Sequence, residues 1–379
     1  MGNDSQVLRN PHRTTRSSVA PDPAGWGSRA SEQEVANIRP YTSAATAFKR
    51  ARGFGLLRLI AFFCLLAVLA LGLDFAFTCG LRHINTSGFG ASNKIMSGQV
   101  NADILISGSS RALVHYDPRI LQKCTGKTAY NLGRNAAQTD MQWAFLKAYL
   151  KHNARPKIVV HNLDPYSFVL TRDVYDPAQY LPYLAEDEIY KPLRRIDPDV
   201  WKWKYLPLYG YAGQDMNFTW IKGVKGLIGI NPREDFFLGY NPRDLRWTGD
   251  FERFKANSSR GVSLEIQPEA VRLLEELIET CHRQGIQVIL VFAPEYGEMQ
   301  SLTLNRAAVF AKFREIAERF SVPFWDYSDS DLCRHRELFY NSQHMNLKGA
   351  TIFSADIGKR LAVLDKQQPS ARVPAATAQ

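Results

Sequence analysis

The chain has 379 residues, 45% of them hydrophobic and 22% charged, and a formal net charge of +10. Those fractions are globular and leave room for one large domain or two. Its 47 Lys and Arg residues are spread along the whole length, with no RNP-like, zinc-finger or helix-turn-helix pattern beside them. Nucleic acid is therefore excluded as a partner, and the charge is read as solvated surface plus a topology signal.

Residues 1–53 are rich in Ser, Ala, Pro, Asn and Arg without a sustained apolar period, and read as a cytoplasmic segment lacking regular structure. Residues 54–81, FGLLRLIAFFCLLAVLALGLDFAFTCGL, follow, uncharged between Arg58 and Asp74. A run of ~20 apolar residues crosses a ~30 Å hydrocarbon layer. A buried soluble helix would not be apolar on every face, so a transmembrane helix is expected. Arg39, Lys49, Arg50, Arg52 and Arg58 flank it on the N-terminal side, while Arg82 and Lys94 are the nearest basic residues beyond it. The positive-inside rule puts the N-terminus in the cytoplasm and the C-terminal bulk outside. The polar stretch ahead of the run is too long for a signal-peptide n-region, and no A-x-A site follows, so a retained anchor is expected.

Of the five cysteines, Cys64 and Cys79 fall in the apolar run and leave Cys124, Cys281 and Cys333, which allow at most one disulfide. There is no CxxC pair and no HExxH spacing, so neither a metal nor a cofactor is expected, and each cysteine reads as a small buried hydrophobe.

Beyond the apolar run, ADILIS (102–107) suits a short buried strand closed by Gly108, and ALVHYDPRILQKC after it reads as helical, with Leu113, Ile120 and Leu121 as core positions. KIVVHNL (157–163), IQVILVFAP (286–294) and VPFWDYS read as further strands. PEAVRLLEELIETCHRQG, LNRAAVFAKFREIAERF and MNLKGATIFSADIGKRLAVL read as helices. Strands alternating with helices of this length predict an α/β fold with a doubly wound parallel sheet, whose working residues lie at the C-terminal ends of strands. Attention goes to Ser109, Ser110, Asn162, Asp164 and the stretch before the last helix.

These residues carry a specific resemblance. ILISGSSRALVHYDP resembles the first block of the SGNH (GDSL-like) hydrolases, in the form found in cell-envelope and exopolysaccharide O-acetylation proteins, with Ser110 at the nucleophile position and Ser109 where the better-known motif has Asp. YNLGRNAAQ (130–138) resembles the second block, and LFYNSQHMNLKGATIFS (338–354) the last. The resemblance implies a flavodoxin-like three-layer α/β/α domain over residues 90–365. It also implies Gly133 as an oxyanion donor and His344 as general base. Two positions depart from the family. Asn341 stands where the third catalytic residue is Asp, which leaves Asp326, Asp329 or Asp331 as candidates for an acidic partner. In VVHNLDPYSF the oxyanion Asn position holds Leu163 between Asn162 and Asp164, so Asn162 serves only if the loop shifts by one. A serine at a strand-to-helix turn is also a good helix N-cap, and that bland role competes with the nucleophilic one.

Residues 165–261 do not read as a βα repeat. They hold Trp201, Trp203, Trp220, Trp247 and nine tyrosines from Tyr166 to Tyr240, and are expected to form an aromatic-rich insertion or cap. Its rings either stack on sugars or pack a small core of their own, and residues 239–247 (GYNPRDLRW) are the candidate substrate-side loop. TGKT at 125–128 lacks the first glycine and the preceding strand of a phosphate loop, and GFGASN near Gly88 lacks the third glycine of a dinucleotide site. Asn217 and Asn257 open glycosylation sequons, relevant only in a eukaryotic secretory context. Residues 366–379 read as a disordered tail.

The expectation is a bacterial inner-membrane protein with a periplasmic domain. It would carry out serine-dependent acyl-ester chemistry on a polysaccharide or other acylated carbohydrate, with a membrane protein as candidate acyl donor. The competing expectation is an inactive polysaccharide-binding or assembly subunit. The hydrogen bond between Ser110 and His344 and the orientation of His344 discriminate the two.

Overall fold

The computed structural model describes residues 42–212, 218–231, 235–258 and 260–367, with side chains from residue 55. The chain divides into two compact units, Met1–Phe63 and Cys64–Gln379. In the first, the described residues belong to helix α1 (Thr42–Leu81). Its backbone is helical from Thr42, inside the stretch expected to lack regular structure; residues 1–41 lie outside the described residues. Within α1, Gly55–Leu81 is long and apolar enough to cross a bilayer, with a mean hydropathy of 2.6 and none of its apolar window buried.

The second unit continues with α2 (Ser87–Met96), β1 (Ile104–Ser107), α3 (Ser110–His115), α4 (Pro118–Thr125), β2 (Ala129–Asn131), α5 (Thr139–His152) and β3 (Ile158–Leu163). Helices α6 (Asp187–Ile196), α7 (Val200–Tyr205), α8 (Thr219–Leu227) and α9 (Asp250–Asn257) follow in the insertion. The chain returns to the sheet through α10 (Pro268–Arg283), β4 (Gln287–Phe292), α11 (Gly297–Ser301), α12 (Arg306–Arg319) and β5 (Phe324–Asp326), and closes with α13 (Leu347–Gln367).

The sheet is parallel throughout, in the order β2-β1-β3-β4-β5. This is a doubly wound α/β fold of flavodoxin-like order, with its switch point between β1 and β3. Strands buried on both faces read as continuous apolar runs, and alternate residues divide between two cores. Leu105, Val159, Val288 and Leu290 pack with α5, α10 and α12 on one face. Ile106, Val160, Ile289 and Val291 pack with Leu121 of α4 and with Phe353 and Ile357 of α13 on the other. A third cluster joins Leu81, Ile84 and Phe89 to Phe145 of α5 and to Tyr180, Tyr183, Leu193 and Tyr211 of the insertion.

Two boundaries differ from expectation. The helical pattern after Gly108 is two helices, because Asp117 caps a new one, its side chain accepting from Arg119 N–H at 2.9 Å with Pro118 in the first turn. Ile120 is consequently only half-buried, while Leu113 and Leu121 are core. Helix α13 runs through Gln367, two residues into the expected tail, and residues 368–379 lie outside the described residues, as does the sequon residue Asn217. The five cysteines are free thiols.

Candidate active site

The turn after β1 sets the site. Gly108 has φ +150°, and a Cβ there would sit 2.8 Å from Ala112 Cβ and 2.9 Å from Asn162 Cβ, so only glycine fits between α3 and β3. Ser109 is the N-cap of α3, its hydroxyl accepting from Arg111 N–H at 3.2 Å. The bland role therefore falls to Ser109. Ser110, the first residue of the helix, carries its hydroxyl out at the switch point, 2.7 Å from His344 Nε2.

His344 reaches the same edge from the loop before α13. Asn341 Oδ1 lies 3.1 Å from Gln343 N, 3.0 Å from His344 N and 2.9 Å from His344 Nδ1. Two backbone N–H groups donate to that atom, which identifies it as the amide oxygen, so the ring nitrogen facing it must be the N–H donor. The tautomer follows: Nδ1 carries the proton, Nε2 is a lone-pair acceptor, and Ser110 donates to it. Tyr340 stacks on the imidazole, 5.5 Å between centroids and 11° between planes. Behind it, buried His115 accepts the Met345 N–H on Nε2 at 2.9 Å, pinning the backbone just past His344.

Desolvation holds His344 down at about 4, with the nearby cations Arg111 and Arg243 adding to the effect. At neutral pH the ring is uncharged and ready to accept a proton. Arg111 is buried; its guanidinium donates to Ala293 O, lies 3.5 Å from Asp164 Oδ1 and stacks 4.7 Å over Phe292. Burial raises the Asp164 carboxyl despite that ion pair.

Several expected site residues do other work. Gly133 N–H donates to Asn131 Oδ1 at 2.8 Å, and a Cβ on Gly133 would sit 2.2 Å from Leu113 N. Its glycine is explained by the turn just after β2 running against the α3 backbone, and its N–H is engaged. Asn162 is fully buried: Tyr116 OH donates to its Oδ1 at 2.8 Å, and its Nδ2 donates to Leu163 O and to Asp164 Oδ1. Neither group is presented to Ser110 as an oxyanion donor. Asp331 is exposed and binds Arg334 and His335. Asp329 is exposed, and Asp326 accepts from Ser328 N–H and faces Arg314, so no carboxylate takes the place beside His344 that Asn341 fills.

Two contributors were not anticipated from sequence. Asn131 donates to Ala112 O (2.7 Å) and Tyr116 O (2.9 Å), lashing β2 to the end of α3. Arg243 comes from the irregular segment between α8 and α9, and its backbone O accepts from Leu347 N–H (2.8 Å). Thr248 N–H donates to Tyr340 O at 2.8 Å, so the segment from Arg243 to Thr248 runs beside the His344 loop. Some of the insertion's rings are packed: Trp247 meets Tyr296 edge-on at 5.0 Å, and Tyr180, Tyr183 and Tyr211 are in the third cluster, while Tyr175, Trp201, Tyr205, Tyr209 and Trp220 are exposed.

A cavity of about 300 Å³ opens on Ser110, floored by Arg111 and Asp164 and walled by Gln138, Tyr166 and Gln343. A second of about 620 Å³ shares Ala136, Gln138 and Tyr166 with it and extends past Arg172 and Glu265. Among the described residues no cluster of His, Cys, Asp and Glu could hold a metal ion.

No known family profile matches the sequence, and no curated protein matches it. Among solved structures, it is similar to a provisionally assigned acylhydrolase of Bacteroides fragilis, at 11% identity and TM-score 0.33 over 69% of this chain and 86% of that one. It is also similar to a GDSL-like lipase of Bacteroides thetaiotaomicron, at 11% identity and TM-score 0.34 over 69% and 88% of the two chains. The fold assignment rests on the strand order and register above.

Proposed function

We propose that this chain is a membrane-anchored SGNH-type acyl-ester enzyme that works through an acyl-serine on Ser110. The observation that carries the reading is the relay Ser110 Oγ to His344 Nε2 (2.7 Å), with His344 Nδ1 held by Asn341 Oδ1 (2.9 Å). A serine hydroxyl is a weak nucleophile until an oriented imidazole accepts its proton. In the first half-reaction Ser110 Oγ bonds to the acyl carbon as its proton moves to His344 Nε2. The tetrahedral oxyanion forms beside Ser110 N–H, at the first position of α3, where helix geometry leaves the group without an intrahelical acceptor. Collapse breaks the ester bond, and His344 returns the proton to the departing alcohol. In the second half-reaction water or a sugar hydroxyl attacks the acyl-serine by the same route. The two cavities, which share Ala136, Gln138 and Tyr166, would give room for a chain of sugar residues, and the substrate class we assign is an O-acetylated envelope or secreted polysaccharide. Gly55–Leu81 serves as the anchor in the bacterial inner membrane, with the basic flank in the cytoplasm and the residues after Leu81 outside.

A second reading has its own support: Asn341 carries no charge, and Gly133 and Asn162 are occupied internally. On that reading the domain binds polysaccharide without turning it over. The two separate when the full chain is given an activated acetyl ester, then an O-acetylated polysaccharide, with and without a sugar acceptor. Release of acetate or appearance of acetylated acceptor, abolished by Ser110→Ala, supports the enzyme. Saturable glycan binding with no turnover in either arm supports the binding subunit.

A further inference from the structure

The insertion grips the end of the apolar helix. Asp74 Oδ1 accepts the Leu208 N–H at 2.8 Å, and Thr78 Oγ1 and Tyr211 OH share a 2.9 Å hydrogen bond. From another side α8 meets the last turn of α1 backbone to backbone. A Cβ on Gly80 would lie 1.8 Å from Gly223 O, and one on Gly226 would lie 2.0 Å from Gly80 O. Small residues spaced in this way let two helices approach closely, the packing used where lipid rather than water surrounds them.

Helix α8 has three sides. Thr219, Gly223 and Gly226 are buried toward α1. Trp220, Val224, Leu227 and Ile228 follow one another at i, i+4, i+7 and i+8, and the first, third and fourth are 45%, 47% and 63% exposed. Lys222 and Lys225 are exposed on the remaining side. The neighbouring grip segment presents Tyr205, Leu206 and Tyr209 in the same exposed manner. A water-facing helix would not carry its bulk apolar residues outward while its glycines face the partner.

Length fixes what these residues meet. The apolar span of 27 residues is about 40 Å long, more than the ~30 Å hydrocarbon thickness. Its last turns, where Asp74, Phe77 and Gly80 hold the insertion, therefore belong at headgroup depth. Aromatic residues with lysines at that depth are the composition of an interfacial membrane contact. We propose that α8, together with residues 205–209, lies in the leaflet where the span ends, with Trp220, Leu227 and Ile228 among the acyl chains and Lys222 and Lys225 at the lipid phosphates. This rests on the membrane-anchor reading of Gly55–Leu81 and is independent of any catalysis at Ser110.

The test uses the full chain in nanodiscs of mixed zwitterionic and anionic lipids, with tryptophan fluorescence quenched by lipids brominated near the headgroup or at mid-chain. The expected result is stronger quenching from the shallow label. Trp220→Phe removes most of that quenching, and adding Leu227→Trp to that variant restores it. Equal quenching of wild type and Trp220→Phe would overturn the proposal. Access of Trp220 to aqueous acrylamide would then place α8 in water. Shielding from both quenchers would place a protein, such as a second copy, over it. Resistance to alkaline extraction reports on the span alone, so failure of the anchor and failure of the α8 contact are told apart.

Discussion

Asn341 holds His344 by a carboxamide oxygen that accepts three hydrogen bonds, two from backbone N–H groups and one from the imidazole Nδ1 at 2.9 Å. The amide does the orienting half of what a carboxylate does in a serine triad: it fixes the tautomer and the ring plane. It does nothing for the positive charge the ring takes on when Ser110 gives up its proton. With desolvation and two nearby arginines acting as well, the imidazole stays near 4.

Asn341→Asp should therefore raise the His344 pKa and speed acylation of Ser110 at neutral pH, by a few-fold and at most about tenfold for each unit gained. The pH profile of acylation checks this: the acid limb should move up from near 4 toward the ordinary histidine range. Arg243→Gln should move the limb in the same direction by less. Asn341→Ala, which frees the ring, should slow acylation by on the order of 10²-fold.

Folding stability should fall in mild acid. His161 and His344 are both held down to about 4 by burial, and His115 is held well below the usual range. A depressed histidine pKa means the unfolded chain binds protons the folded one refuses. The stability is present above about 6.5 and is lost as pH falls from there toward 4. For fully buried His161 the loss between pH 8 and pH 5 is on the order of 2 kcal/mol. The raised carboxyls of Asp164 and Glu295 act in the opposite sense. Urea unfolding at the two pH values, compared between wild type and His161→Asn, isolates the histidine contribution: the variant should show the shallower decline.

Gly133→Ala should destabilise rather than merely lose an oxyanion donor. The new Cβ would lie 2.2 Å from Leu113 N, so β2 or α3 must move, at a cost of roughly 1–3 kcal/mol or more. Thermal unfolding should show a clear drop in Tm. A variant of unchanged Tm with reduced acylation would instead return Gly133 to the oxyanion role.

Much of this was legible in the sequence, for physical reasons. The strands that form the sheet centre are buried on both faces, so 102–107, 157–163 and 286–294 announce themselves as apolar runs. Strand β2 is three residues long and too short to show a period, so it was not anticipated. Ser110 and His344 were findable because each sits in a block with its own turn chemistry, and they do meet, 2.7 Å apart across 234 residues of sequence. The oxyanion expectations for Gly133 and Asn162 did not match the geometry. The same residue types answer an equally strong packing demand: a glycine where the turn just after β2 touches α3, and a buried amide shared by Tyr116 and Asp164. Arg243 lay within the loop singled out at 239–247, but its approach to His344 had no sequence signal, since it depends on how that loop returns past the His344 loop.

The central claim is that His344 activates Ser110, and covalent labelling tests it most directly. The full chain is treated with a fluorophosphonate probe, and the adduct is located by mass spectrometry. A single adduct on Ser110 is expected in the wild type, absent in Ser110→Ala and formed ~10²–10⁴-fold more slowly in His344→Ala. An unlabelled wild-type chain that unfolds cooperatively, or labelling of Ser110 unchanged in His344→Ala, would contradict that claim.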